Sequence, residues 1–161
     1  MDWVRKAWHT HDMGDGEEQF VAMTSVLRFS RLLSASVEEQ LKPLSLKLTD
    51  YLLLMTLRLS RTGGLLISKL AENLLVHPTT ATLATDRMEE RGLLVRERHP
   101  TDRRAIVVSL TSDGQALADK ATDTLRETYF GFDGVPSTTM RRVVPTMATL
   151  RKAAGDVPDR D

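Results

Sequence analysis

The stretch Pro78-Thr79-Thr80-Ala81-Thr82-Leu83-Ala84-Thr85-Asp86-Arg87-Met88-Glu89-Glu90-Arg91-Gly92 decides the fold. Pro78 carries the fixed φ of a first-turn helical residue, and Gly92 suits the left-handed position that closes a helix. Between them Ala81, Ala84 and Met88 fall at i, i+3 and i+7, an apolar stripe that faces a core. Thr79, Thr80, Thr82 and Arg87 fall mainly on other faces, and the threonines crowd the N-terminal half. Threonine is a poor helix former, so propensity alone does not explain that crowding.

C-terminal to Gly92 the period changes. Leu94–Arg98 and Ala105–Leu110 are two short extended runs, the second β-branched at Ile106, Val107 and Val108. The polar His99-Pro100-Thr101-Asp102-Arg103-Arg104 between them makes a hairpin with a charged tip. N-terminal to Pro78, a short helix over about Ser68–Leu74 is joined by Leu75-Val76-His77. His77 is placed to close the helix N-terminus or to touch a phosphate. A further helix is expected from a Thr49 N-cap, with Asp50 complementing the dipole, through Tyr51–Leu59, before Gly63-Gly64 interrupts the chain. Three helices and a hairpin over 49–110 are the order of a winged helix-turn-helix. The expected fold is mainly α with a small β-hairpin wing.

Longer helices flank this lobe. Over 17–41, Phe20, Val21, Val26, Leu27, Leu32, Leu33, Val37 and Leu41 keep a near-helical period, and Pro43 closes the segment. Thr111 caps a helix that runs to about Tyr129, and a last one spans roughly Ser137–Ala154, where Pro145 is expected to kink or split it. Met140, Val143, Val144, Met147 and Leu150 add apolar surface that the lobe is too small to cover. Such surplus is usually buried against a second copy. The expectation is one domain over 1–161, with 17–43 and 113–154 as dimerisation helices and 44–112 as the winged lobe.

Composition narrows the function. The 161 residues are 41% hydrophobic and 27% charged, as in an ordinary globular domain, and Cys 0 excludes disulfides and thiol chemistry. No run approaches the roughly 20 apolar residues of a membrane helix, and Met1-Asp2-Trp3-Val4-Arg5-Lys6 lacks a signal-peptide core, so no membrane partner and a cytoplasmic location are expected. The formal net charge is zero, yet Arg91, Arg96, Arg98, Arg103 and Arg104 crowd into 91–104 against only Glu97 and Asp102. Arginine's planar fork suits phosphate and base edges, so the cluster reads as a footprint for a polyanion. No G-x-S-x-G elbow, Walker loop or H-E-x-x-H is present, and no enzyme is expected. His9 and His11 are an i, i+2 pair without a third ligand, so neither a metal nor another cofactor is expected.

Set in a helix-turn-helix, the 78–91 segment places its threonine-rich end in a major groove, where a hydroxyl and a methyl meet base edges. At the tip, Asp102 beside Arg103 and Arg104 holds a guanidinium in one direction for a narrow minor groove. The alternative is a winged-helix module that binds another protein. Salt dependence separates the two, because each phosphate contact releases counterions.

Leu70-Ala71-Glu72, Thr79-Thr80-Ala81-Thr82, Asp86-Arg87-Met88-Glu89-Glu90-Arg91-Gly92-Leu93, Asp102-Arg103-Arg104 and Leu110-Thr111-Ser112-Asp113-Gly114 together resemble the MarR family of bacterial regulators over about 44–117. The resemblance implies a homodimer on pseudo-palindromic double-stranded DNA, and repression relieved by a small molecule. It also implies major-groove roles for Thr79, Thr80, Thr82 and Arg87. In the wing it implies Asp102 and Arg104 as the D-x-R, with Arg104 in the minor groove and Arg103 near phosphate. Leu75 stands where the family's link usually has Gly, so strain is expected there. For the effector, an aromatic acid or its conjugate, Arg28 and Arg31 are the candidate anion-binding pair, with Tyr51 and Met55 as candidate pocket residues. Trp3 and Trp8 are expected to lie over a partner subunit.

Overall fold

The computed structural model describes residues 2–99 and 105–156. In chain order it has α1 (Asp2–Thr10), α2 (Glu17–Leu41), a 3-10 turn (Lys42–Leu44), α3 (Leu48–Arg58), β1 (Gly64–Leu66), α4 (Ile67–Leu74), α5 (Pro78–Glu90), β2 (Leu94–Arg98), β3 (Ile106–Leu110), α6 (Ser112–Glu127), a second 3-10 turn (Tyr129–Gly131) and α7 (Ser137–Ala153). The chain divides into two compact units, residues 1–131 and 132–161. The second unit contains α7, which runs on through Pro145 as one helix, so the expected split does not occur. No residue of α7 is buried, and Val144, Met147 and Leu150 are exposed.

In the first unit, α3, α4 and α5 surround a core of Leu41, Leu53, Leu54, Leu57, Leu70, Met88, Leu94, Val108 and Leu125. The stripe read from sequence is buried as expected: Ala81, Ala84 and Met88 are shut from solvent. The sheet is antiparallel with order β1-β3-β2, pairing Leu65 with Val108 and Leu94 with Leu110. Nothing in the sequence marks the strand β1. Gly63-Gly64 reads as a break, whereas Leu65 and Leu66 extend to cover the free edge of β3, an edge that would otherwise offer unpaired backbone.

One helix start differs from expectation, and the other caps stand where the sequence places them. Helix α3 begins at Leu48 after Lys47, not at Thr49, because the Asp50 carboxylate reaches back to accept the Lys47 N–H at 3.1 Å. His77 closes α5, its Nδ1 accepting the Thr79 N–H at 3.3 Å. Thr111 caps α6 as expected, accepting the Gly114 N–H at 3.0 Å. Leu75 closes α4 in the left-handed region (φ 51°), a position costly for a side chain with a Cβ.

The N-terminal segment, whose sequence gives it no place in the lobe, is the helix α1. It docks on α2 through Trp8, whose ring centroid lies 5.1 Å from that of Phe20. Arg5 Nε and His9 Nε2 meet the two oxygens of Glu17 at 3.2 and 2.8 Å. Trp8 is thus placed within its own chain, while Trp3 stays exposed. Residues Glu17–Leu44 are long and apolar enough to cross a membrane, with a mean hydropathy of 1.2 in their most apolar window. That corrects the expectation that no stretch comes near such a span. Arg28 and Arg31 interrupt the middle of this helix. It buries Val21, Val37 and Leu41 and leaves Met23, Val26, Leu27 and Leu32 exposed, so much of its apolar surface is not covered by this chain.

Candidate nucleic-acid interface

Helix α5 is the recognition-helix candidate. While Ala81, Ala84, Thr85 and Met88 face inward, Thr79, Thr80 and Thr82 are exposed together on the first two turns. Pro78 and the His77 cap start the helix in a fixed direction, so those side chains project from a defined end. Thr82 turns its hydroxyl back to donate to the Pro78 carbonyl at 3.0 Å. Leu83 is exposed beside them, a residue that the inward stripe gave no reason to single out. The strands β2 and β3 follow directly, with Arg98 exposed at the end of β2. The tip residues Asp102, Arg103 and Arg104 lie outside the described residues.

The basic cluster divides into arginines with different work. Arg91 donates to the Ser45 and Leu44 carbonyls at 2.8 and 3.2 Å, bracing α5 against the turn after α2. Arg96 pairs with Asp86, and its Nε lies 3.1 Å from Glu89, clamping β2 to α5. Arg87, expected to face DNA, instead places Nη2 2.5 Å from Asp50 Oδ1 on α3. Its Nε is buried with no hydrogen-bond partner among the described residues. Sequence spacing cannot show this pairing, because the partner lies 37 residues away. The polyanion footprint is therefore narrower than the count of arginines suggests.

One effector candidate, Tyr51, lies in the core, and a second, Met55, packs against it. Tyr51 is buried, its hydroxyl 3.2 Å from Thr122 Oγ1, and the same Thr122 hydroxyl approaches the Met55 sulfur at 3.2 Å. These contacts join α3 to α6, with Tyr51 buried and Met55 partly buried against the core. Arg28 lines a cavity of about 540 Å³ with Trp3, Val4, Phe20 and Thr24, whereas Arg31 is exposed on α2 and does not line it. The role of α1 in building that cavity is not visible in the sequence.

A helix that presents hydroxyls beside an antiparallel hairpin, both braced on one small core, defines a winged helix-turn-helix of the DNA-binding kind. The family model described as "MarR family" matches residues 46–106. The chain is 38% identical over 114 residues to the organic hydroperoxide resistance transcriptional regulator of Bacillus subtilis, covering 66% of this chain and 76% of that one. The solved structure of Sco5413, a MarR family transcriptional regulator from Streptomyces coelicolor, superposes with a TM-score of 0.81 at 30% identity, over 89% of this chain and 100% of that chain. CouR from Rhodococcus jostii RHA1, solved bound to p-coumaroyl-CoA, shares the fold with a TM-score of 0.68 at 23% identity, over 84% of this chain and 92% of its own. The chain belongs to the MarR family, and it is a DNA-binding transcriptional regulator. It has no cysteine, so it has no thiol with which to sense an oxidant.

Proposed function

We propose that the chain acts in the cytoplasm as a homodimeric repressor that occupies a pseudo-palindromic operator and leaves it when a small organic ligand binds. The observation that carries this reading is the exposed row of Thr79, Thr80 and Thr82 on a helix whose other face is locked into the lobe. In the reading, these residues meet base edges, and Arg104, aligned by Asp102, enters the minor groove with Arg103 near phosphate. The exposed apolar faces of α2 and of α7 are each covered by a second copy, which makes 17–43 and 113–154 the dimerisation segments and 44–112 the DNA-binding lobe.

The test is a titration on duplex DNA from upstream of the chain's own gene, at two salt concentrations, with random DNA as competitor. Competitor-resistant binding that weakens steeply with salt is expected, because each neutralised phosphate releases counterions. Arg104→Ala should cost on the order of 1–3 kcal/mol, about five- to 150-fold in affinity, with the dimer mass unchanged. Unchanged affinity would remove the wing from the mechanism. Binding that random DNA abolishes would leave a nonspecific binder.

For the ligand, an aromatic acid or its conjugate matches a cavity lined by Arg28 together with Trp3 and Phe20. To release DNA, it must bind the DNA-incompetent form more tightly than the competent one. Calorimetry with p-coumaric acid and related hydroxylated aromatic carboxylates checks this. Arg28→Ala should bind at least tenfold more weakly, given the worth of a charge-assisted hydrogen bond. Equal affinity would take Arg28 out of the site.

A further inference from the structure

Two consecutive residues of α5 are tethered to two different parts of the lobe. Asp86 is held by Arg96 of β2, and Arg87 is held by Asp50 of α3. Apart from these pairs, the Glu89–Arg96 contact and the Arg91 hydrogen bonds at its C-terminal end, the helix is held by small side chains. Its buried face is Ala81, Ala84, Thr85 and Met88, and only Met88 is long enough to interdigitate with a neighbouring helix. Small side chains permit close approach but do not fix rotation about the helix axis. The two ion pairs supply what the apolar contact lacks.

Asp50 is the more consequential of the tethers. It is 2% exposed, one of two buried polar residues among the described residues, and both its carboxylate oxygens are used. Oδ2 accepts the Lys47 N–H that starts α3, and Oδ1 accepts from Arg87. One carboxylate thus joins the first turn of α3 to the third turn of α5. A buried pair of this kind contributes more to a unique geometry than to net stability. Arg87 Nε is closed off from solvent and its Nη2 is engaged by Asp50, while the side chain as a whole is 39% exposed.

We propose that Asp50 is a positioning residue for sequence recognition: through Arg87 it sets the angle at which α5 presents Thr79, Thr80 and Thr82. The inference rests on the reading of α5 as the recognition helix. Asp50 touches no DNA in this account, so its loss should lower discrimination between sequences and leave the phosphate contacts intact.

The experiment uses the full chain and a duplex that the wild type selects from a randomised pool, with unrelated DNA as reference. Asp50→Asn keeps an acceptor for the Lys47 N–H and removes the charge that holds Arg87. It should lower the preference for the selected duplex at least tenfold, leave affinity for unrelated DNA within about twofold, and leave the salt slope unchanged. Arg87→Met, which keeps the length of the side chain, should have the same effect. The double variant should be no worse than either single, because both break one tether. Circular dichroism and dimer mass establish that each variant is folded. If Asp50→Asn unfolds the chain, Arg87→Met carries the same test alone.

A folded variant with undiminished preference overturns the proposal. So does a salt slope that falls by about one in Arg87→Met, which would place Arg87 on a phosphate. Failure of the wild type to select any sequence would instead overturn the recognition-helix reading, and the positioning role with it.

Discussion

Replacing Gly114 by Ala should remove about 3 kcal/mol of folding stability, the upper end of what overpacking a well-filled site costs. For a chain of this size that corresponds to a fall in Tm of roughly 6–12 °C. The sign is opposite to the usual one, since Gly→Ala inside a helix ordinarily gains about 1 kcal/mol. A Cβ at position 114 would sit 2.1 Å from the Leu93 carbonyl oxygen and 3.2 Å from Leu110 Cδ2. The carbonyl cannot move aside, because it accepts the Thr111 N–H at 3.1 Å while Thr111 Oγ1 donates to the Gly92 carbonyl at 2.8 Å. The end of α5, the base of the hairpin and the start of α6 are therefore fastened at one point, which only a residue without a side chain lets α6 approach. Thermal and urea unfolding measure the effect, with Gln115→Ala, exposed one residue further on, as the control that should change little. A Gly114→Ala variant as stable as the wild type would mean that α6 stands further from Leu93 than described.

The same junction shows what is legible in the sequence. Leu110-Thr111-Ser112-Asp113-Gly114 reads as a helix start from its threonine and its acidic first turn, and the cap is where it is expected. Why glycine must stand at position 114 is not legible, because the constraint comes from Leu93, far away in the chain. The inward stripe of α5 and the two wing strands are likewise read from local period, and local period is a property of neighbouring residues. The third strand escapes because Leu65-Leu66 is too short to show alternation, and only the presence of β3 makes it extend.

Charge is the least legible property. Arginine identity is plain in a sequence, but its partner is not. Arg87, Arg91 and Arg96 look like Arg98 until the structure shows Asp50, the carbonyls after α2, and the pair Asp86 and Glu89 taking them up. Similarly, Tyr51 and Met55 carry no sign that Thr122 will join them across two helices. A basic cluster in a sequence is thus an upper limit on the charge that faces a ligand.

The second large effect concerns assembly. Met23 and Leu27 are one turn apart on α2 and both about half exposed, at 50% and 51%. The double substitution Met23→Glu/Leu27→Lys puts an i, i+4 pair of favourable order there, which stabilises an isolated helix by about 0.3–0.5 kcal/mol. A monomer should therefore keep α2. A dimer that buries this face should not form, because taking two ions per copy out of water costs several kcal/mol each, which their mutual attraction restores only in good geometry. Light scattering should then report about 18.0 kDa, the mass of one chain, in place of twice that. Operator affinity should fall with it. Two linked lobes on two half-sites gain about 10²–10⁴-fold over one lobe through effective concentration alone, and a monomer forfeits that factor even with Thr79, Thr80 and Thr82 untouched. A variant that stays dimeric would put this face of α2 outside the interface. One that becomes monomeric yet holds its operator as tightly as before would show that a single lobe carries the recognition, and that the apolar face serves assembly alone.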